Sequence, residues 1–560
     1  MNSWRYPFLF VFISFLFVLI IGRLFYWQVV QAEMLSGLAQ EQYSGEIKLT
    51  PKRGDIITSD GFPIVSNKVA YHVYADPSVI KDNEKIIESL ASILDMETAS
   101  VSSKLLPSLQ WVRIKSGIDS AKRVEIEKRD FPGVGFEEEY ARFYPEASIA
   151  AHLVGFVGEN ESESSKGLFG LEAYYDRLLK GKEGIIVELR DALRRPILSE
   201  RNDDSDGVEG SNLYLSIDRS VQFLIEQKLK DAVGKYQATG GMIGIMEPKT
   251  GNIIAMASYP SYSPQKYWEY EVSLYINPFI TNSYEPGSTL KPLVMASAFD
   301  AGLITPQTIC DICGGPVPVS GYELRTWNNK YYKDTNMIEV IQHSDNTGMI
   351  FVAQKLGVDR MISYLSRFGI GSLTDIDLHG ETAPDFKPRN AWYDVDLATA
   401  GFGQGISVTP IELLTAFSSF ANNGEIMKPR VVTAFKNSKG ERQEIPVKVK
   451  GRPISEKTAK IMTEILVNAV EKGEAQWAKP DGYRIAGKTG TASIPVKGHY
   501  DPEKTIASFI GFAPVDNPKF VMLVILDKPT TSIYAAETAA PLFFSIATDL
   551  LSYYGIPPTR

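Results

Sequence analysis

Three short stretches carry side chains that could make and break an acyl bond. In YEPGSTLKP, Ser288 is followed three residues later by Lys291. Pro286 and Gly287 read as a turn, and Leu290, Leu293, Val294 and Ala298 then recur at helical spacing up to a stop at Gly302. Pro292 falls in the first turn, where its missing N–H is tolerated. The spacing predicts Ser288 at the start of a helix and Lys291 one turn on, on the same face. An amine partly withdrawn from water loses basicity and can take a serine proton. The helix N-terminus favours the negative charge that develops during attack. Standing alone, S-x-x-K reads more simply as a serine cap followed by a surface lysine. Further along, IQHSDNTGMIF holds Ser344, a second hydroxyl able to relay a proton, and Asn346, whose carboxamide could hold a substrate amide. The simpler reading of these three residues, with Asp345, is a helix cap. His343 suggests a Ser-His-Asp triad, but adjacent residues do not easily face each other as nucleophile and base.

The third stretch is GYRIAGKTGTA, Gly482 to Ala492, which fits the G-x-x-x-x-G-K-[ST] pattern of a phosphate-binding loop. Such a loop follows a buried strand and opens a helix at its lysine. EKGEAQWAKPD, which precedes it, is not a buried strand, and Gly490 and Pro495 oppose a helix after it. An extended strand fits better. On it Lys488 supplies a positive charge, Thr489 and Thr491 supply hydroxyls for a carboxylate, and Gly490 admits a ligand backbone. Its edge could pair with an extended peptide. Alone, the stretch would read as a polar edge strand without function.

The elements that must position these residues come from the rest of the 560-residue chain, long enough for two to four domains. A formal net charge of -9 is a poor match to nucleic acid. The five histidines, at 72, 152, 343, 379 and 499, are scattered, and with only Cys310 and Cys313 four-ligand zinc spacing is absent. Phe8 to Ile21 is unbroken apolar sequence, and the run continues past Gly22 and Arg23 to Val30, about the length that spans a bilayer. Arg23 can reach the interface beside Tyr26 and Trp27. Val30-Gln31-Ala32 is a weak cleavage-site match, and the stretch is too long and bulky for a signal peptide. The expectation is an uncleaved anchor over 8–30 after a short tail, 1–7. Positive charge on both sides leaves its orientation open. Residues 31–210 mix strand-like runs such as AYHVYAD with helical stretches such as SAKRVEIEKRD. Glu200 to Asn212 is polar and reads as a linker or exposed loop. After it come a strand (LYLSI), a helix (220–236), two strands around a turn, and near the end a hairpin followed by a helix carrying Leu542, Phe543, Ile546, Leu550 and Leu551. This predicts an α+β domain over 211–560, with helices flanking a mainly antiparallel sheet.

S-x-x-K, S-x-N and K-T-G, in that order, are the set of the serine penicillin-recognising enzymes. Over nearly its whole length the chain resembles one subgroup, the class B penicillin-binding proteins. These are monofunctional peptidoglycan D,D-transpeptidases with one N-terminal anchor helix. RGDIITSDG (53–61) resembles a family motif just after the membrane helix. ARFYPEASIAAHLVGFVG and GLEAYYDRLLKGKEG resemble the pedestal, or dimerisation-type, domain of that class. GFGQGISVTPIEL and ASFIGFAPVDNPKFVMLVILDKP resemble its C-terminal domain. YEPGSTLKP and GKTGTA are most similar to the division-specific septal branch. Two departures stand out: Thr58-Ser59 where the family usually has Asp-Arg, and SDN where septal members often have S-S-N.

The resemblance implies a pedestal over 31–210 and a transpeptidase domain over 211–560. Ser288 would attack the penultimate D-Ala carbonyl of a stem peptide ending in D-Ala-D-Ala, activated by Lys291. Ser344 would relay protons with Lys488, and Asn346 would hold the donor amide. Lys488, Thr489 and Thr491, around Gly490, would bind the terminal carboxylate. Backbone N–H groups of Ser288 and Thr491 would form the oxyanion hole. β-Lactams would acylate Ser288. No metal or organic cofactor is implied. The implied partners are a membrane-embedded glycan polymerase of the shape, elongation, division and sporulation family and other divisome proteins. The implied place is the cytoplasmic (inner) membrane, single-pass, with the catalytic domain outside the cytoplasm. There Cys310 and Cys313 would form a local disulfide, with two inert thiols as the alternative. Rival readings are a D,D-carboxypeptidase or β-lactamase using the same trio, and a catalytically silent divisome scaffold or β-lactam sensor.

Overall fold

A run that is apolar on every side has nothing polar to turn toward water, and it forms one helix, Arg5–Phe25, carried on through Tyr26–Val30. The computed structural model describes residues 4–49, 51–80, 83–106, 112–159, 165–190, 196–199, 207–496 and 499–558. Residues 1–3 of the expected tail and 200–206 of the expected linker lie outside the described residues. The helix is long and apolar enough to cross a membrane, and none of it is buried in the protein. Arg23 lies over the rings of Trp27 and Tyr26, 5.0 and 5.7 Å from their centroids.

The chain divides into two units. One takes residues 1–52 and 181–210. In it strand Ser44–Leu49 pairs antiparallel with Gly184–Arg190, which pairs in turn with Pro196–Ser199.

The other unit, residues 53–180 and 211–560, holds all three motifs. Its main sheet is antiparallel throughout, in the order Ile253–Tyr259, Gly240–Met246, Phe520–Asp527, His499–Ala513, Ala486–Val496. Side chains alternate across a strand. Phe520, Met522, Val524 and Leu526 pack with helices Arg219–Tyr236 and Ala539–Tyr553. Val521, Leu523 and Ile525 join the core on the other face, with helices Lys291–Asp300 and Pro410–Ala421. Both faces are covered, which is why these strands read as continuous apolar runs. The helices start at side-chain caps: Asp218 accepts from Val221 N–H, and Thr409 and Glu412 form a reciprocal box. The expected α+β class, with an N-terminal apolar helix and a mainly antiparallel sheet flanked by helices, is borne out.

In the same unit, strand Pro63–Ala75 pairs with Val134–Phe143 and Val112–Ile118, and helices Asn83–Leu94, Thr98–Lys104 and Ser120–Lys128 cover it. The RGD stretch has a physical role here. Arg53 donates to Glu172 (Nε to Oε2, 2.7 Å) and pairs with Asp176 (2.8 Å). Arg142 takes the other oxygen of Glu172 at 2.7 Å. Glu172 has no exposed surface. Thr58, where the family usually has Asp, is buried, and its hydroxyl and N–H both donate to the Phe62 carbonyl, closing a tight turn. Ser59 contributes its N–H to the Ile217 carbonyl.

Removing one partner of a buried charged group strands the others. Glu172→Ala is expected to cost about 3–5 kcal/mol, read as an earlier denaturant midpoint in detergent.

Candidate active site

The turn that carries Ser288, the expected nucleophile, begins with Pro286 and Gly287. Gly287 has φ 55°, in the left-handed region. Ser288 lies in a tight 3-10 turn, Gly287–Thr289, and the α-helix proper is Lys291–Asp300. The sequence pattern predicted one continuous helix from Ser288. The difference traces to Pro292, which has no N–H to offer the Ser288 carbonyl, so the first turn closes through Leu290 N–H to Gly287 O instead. Ser288 is half-buried, and Lys291, one turn on, has no exposed surface.

Ser344, Asp345 and Asn346 serve as helix cap and as site together. Asp345 caps helix Asn346–Leu356, accepting from Thr347 N–H and Gly348 N–H at 2.8 and 3.3 Å. Ser344, just before it, has φ 53°, a region a non-glycine residue enters at a cost of about 1–3 kcal/mol. In that conformation it presents its carbonyl and its hydroxyl to one amine. Lys291 Nζ donates to Ser344 O at 2.6 Å and to Asn346 Oδ1 at 2.8 Å, and reaches Ser344 Oγ at 3.3 Å. Ser344 Oγ donates to Ser288 Oγ at 3.0 Å. A neutral amine would use its two N–H groups on the two oxygens at 2.6 and 2.8 Å; its lone pair could then accept the Ser344 proton once that hydroxyl turns from Ser288 and accepts from it instead. Lys291 is pushed down to about 7, first by burial and then by the charge of Lys488, with Asp345 and Glu474 opposing. The chain of contacts therefore runs from a weakened base through one hydroxyl to another.

GKTGTA is a strand, Ala486–Val496, at the end of the sheet. It passes directly behind the nucleophile turn. A Cβ on Gly490 would meet Ser508 Oγ and Thr289 Cγ2, each at 2.7 Å, and Pro286 O at 3.1 Å. The space that the sequence reading gave to a ligand backbone is thus filled by the protein's own nucleophile turn. Lys488 is buried, and Nζ donates to Thr489 Oγ1 and O at 3.0 and 3.2 Å. Thr491 Oγ1 accepts from Ala535 N–H at 3.0 Å, which leaves its own proton to donate. Asn346 Nδ2 donates to Arg325 O at 3.1 Å and keeps a second N–H.

Other neighbours escaped the sequence reading. Glu474 accepts from the Thr489 hydroxyl at 3.1 Å, and it appeared there only in a stretch that failed as a strand. Trp327, two residues after Arg325, meets Tyr534, beside Ala535, edge to face at 5.6 Å, so aromatic rings join the Asn346 side of the site to the Thr491 side. His343 stacks on Tyr332 at 4.2 Å, in line with setting the triad aside. Cys310 and Cys313 are joined as a disulfide. A cavity of about 390 Å³ between helices Arg219–Tyr236 and Ala539–Tyr553 is lined by none of these site residues.

Residues 241–548 match the model of the penicillin binding protein transpeptidase domain, more than half of the chain. The chain belongs to the penicillin-binding protein transpeptidase family. Residues 48–215 match the penicillin-binding protein dimerisation domain. Stage V sporulation protein D of Bacillus subtilis is 33% identical over 99% of this chain and 86% of its own length. The peptidoglycan D,D-transpeptidase FtsI of Escherichia coli K12 is 28% identical over 99% of this chain and 93% of its own. In fold the protein is like the crystal structure of a peptidoglycan synthetase from Bifidobacterium adolescentis, with a TM-score of 0.74 at 24% identity, covering 92% of this chain and 98% of that one. The class B resemblance read from the motifs is borne out, and with it a serine-type transpeptidase as the enzyme class.

With a neutral Lys291 as the expected base, acylation of Ser288 should fall about tenfold per unit as pH drops below Lys291's value of about 7. Stopped-flow acylation between pH 5 and 8 checks this, and Lys291→Met should lower the rate about 10²-fold or more at every pH. Gly490→Ala should destabilise the unit by about 1–3 kcal/mol, read as a lower Tm.

Proposed function

We propose that this penicillin-binding protein cross-links peptidoglycan stem peptides in septal wall synthesis, through an acyl-enzyme on Ser288. The carrying observation is the line of contacts from Lys291 Nζ through Ser344 Oγ to Ser288 Oγ. Lys291 takes the proton of Ser288, directly or by way of Ser344, as Ser288 Oγ attacks the penultimate D-Ala carbonyl. Backbone N–H groups of Ser288 and Thr491 hold the oxyanion. Lys488, with the hydroxyls of Thr489 and Thr491, holds the terminal carboxylate, and Asn346 orients the donor amide. The relayed proton leaves with D-Ala. An amine of a neighbouring stem peptide then attacks the ester, the same groups take its proton, and Ser288 is restored. A β-lactam follows the first half and stops at the ester.

In this reading residues 1–7 are a tail, 8–30 an anchor, 31–210 a pedestal and 211–560 the transpeptidase domain. The enzyme sits single-pass in the cytoplasmic membrane with its catalytic domain outside. A glycan polymerase of the shape, elongation, division and sporulation family and other divisome proteins are its partners. Septal action rests on the YEPGSTLKP and GKTGTA stretches and on the FtsI relative. A sporulation-stage role is the second reading, favoured by the 33% identity to a sporulation protein.

Intact mass spectrometry of the detergent-purified protein with benzylpenicillin, beside Ser288→Ala, tests the chemistry. A single stable adduct on the wild type, absent from the variant, is expected. Rapid loss of the adduct with hydrolysed drug would turn the reading to a hydrolase, and an unmodified protein with intact drug would turn it to a silent scaffold.

A further inference from the structure

Glu474 stands just beyond the end of helix Glu456–Lys472, where Gly473 closes the last turn by donating to Ala469 O at 3.1 Å. Gly473 packs so closely on Ala469 O and Gln342 O that a Cβ would meet them at 2.2 and 3.0 Å. The next side chain points into the site. Glu474 Oε2 accepts the proton of the Thr489 hydroxyl at 3.1 Å, and the same hydroxyl oxygen accepts from Lys488 Nζ at 3.0 Å. The second oxygen of Glu474, Oε1, is buried with no hydrogen-bond partner among the described residues. A carboxylate and an ammonium are thus bridged by one hydroxyl whose proton is directed at the carboxylate.

We propose that Glu474 is a positioning residue for the transpeptidase reaction: through Thr489 it keeps Lys488 the cation that receives the substrate's terminal carboxylate. This rests on the site reading above. Lys488 is 4% exposed, and burial alone favours its neutral form. Burial pushes Lys488 down, and Glu474 is the charge that opposes it. The neighbouring cation is Lys291, which the charge of Lys488 pushes down and which Glu474 and Asp345, at the cap of helix Asn346–Leu356, push up. His343, next to Gln342 on the neighbouring turn, stacks on Tyr332. A purely structural role for Glu474, tethering the strand through Thr489, would predict loss of stability without any change in the pH response.

The test is the second-order rate of Ser288 acylation by benzylpenicillin from pH 5 to 10, for wild type, Glu474→Gln and Glu474→Asp. The methyl ester of benzylpenicillin serves as the carboxylate-free probe. In the wild type an alkaline limb is expected with benzylpenicillin and not with the ester, since only the former needs charged Lys488. Glu474→Gln should move that limb down by about one pH unit or more, a roughly tenfold loss beyond it. Glu474→Asp should hold it in place. An unmoved limb in Glu474→Gln overturns the proposal, whether the plateau is kept or lowered uniformly. So does Glu474→Asp behaving like Glu474→Gln. If Glu474→Gln fails to fold, Glu474→Ser, smaller and also neutral, carries the same expectation. A wild type that is not acylated, or a Ser288→Ala variant that is, sinks the site reading itself, whereas an unmoved limb sinks this proposal alone.

Discussion

Two lysines out of water in one small space are the constraint on which the rest of this structure depends. Like charges that share a dry pocket cannot both be held at ordinary strength, so one of them is driven toward its neutral form. The surroundings decide which. Lys291 meets uncharged oxygens, Ser344 O and Asn346 Oδ1, which a neutral amine satisfies as well as an ammonium. Lys488 has a carboxylate within one hydroxyl of it. The asymmetry favours a neutral amine at Lys291 and an ammonium at Lys488 from two copies of one side chain, and it exists only while both stay buried.

Dryness and position come from different elements. Helix Lys291–Asp300 is buried over almost its whole length, so it sets Lys291 deep in the core and leaves Ser288 at the rim. Strand Ala486–Val496 presses against the nucleophile turn because Gly490 offers no side chain. Between them the Ser344 backbone is held left-handed by the Asp345 cap on one side and, on the other, by helix Met337–Gln342 with its Asn336–Glu339 box. Such a conformation persists only where its neighbours over-determine it.

Local spacing made much of this legible. The i, i+3 relation of Ser288 and Lys291, the edge strand around Lys488 and the doubly covered strands all follow from periods that neighbouring residues reveal. So does the N-terminal apolar helix, whose length and apolarity are local properties. The unread parts are contacts across long stretches of chain. Glu172 lies 119 residues from Arg53, and nothing near either residue announces the other. Glu474 lies 15 residues before Thr489, and its meaning depends on where a helix stops in space. Ser344 carries none of the residue types that usually mark a left-handed backbone. Gly490 was read correctly as a close approach, but the body approaching is the protein's own turn, because sequence records that a space must be empty and not what passes through it.

The strand that bears Lys488 ends its sheet, so one side of its backbone has no partner strand among the described residues. Backbone groups along such an edge are the same for every side chain except proline. A ligand that docked there as a further strand would be recognised by atoms that no point mutation other than to proline deletes. Heritable escape from an inhibitor that copied such a ligand would then have to act at a distance, by shifting the strand relative to the nucleophile turn. Gly490 and Thr289 are the places where that spacing is set.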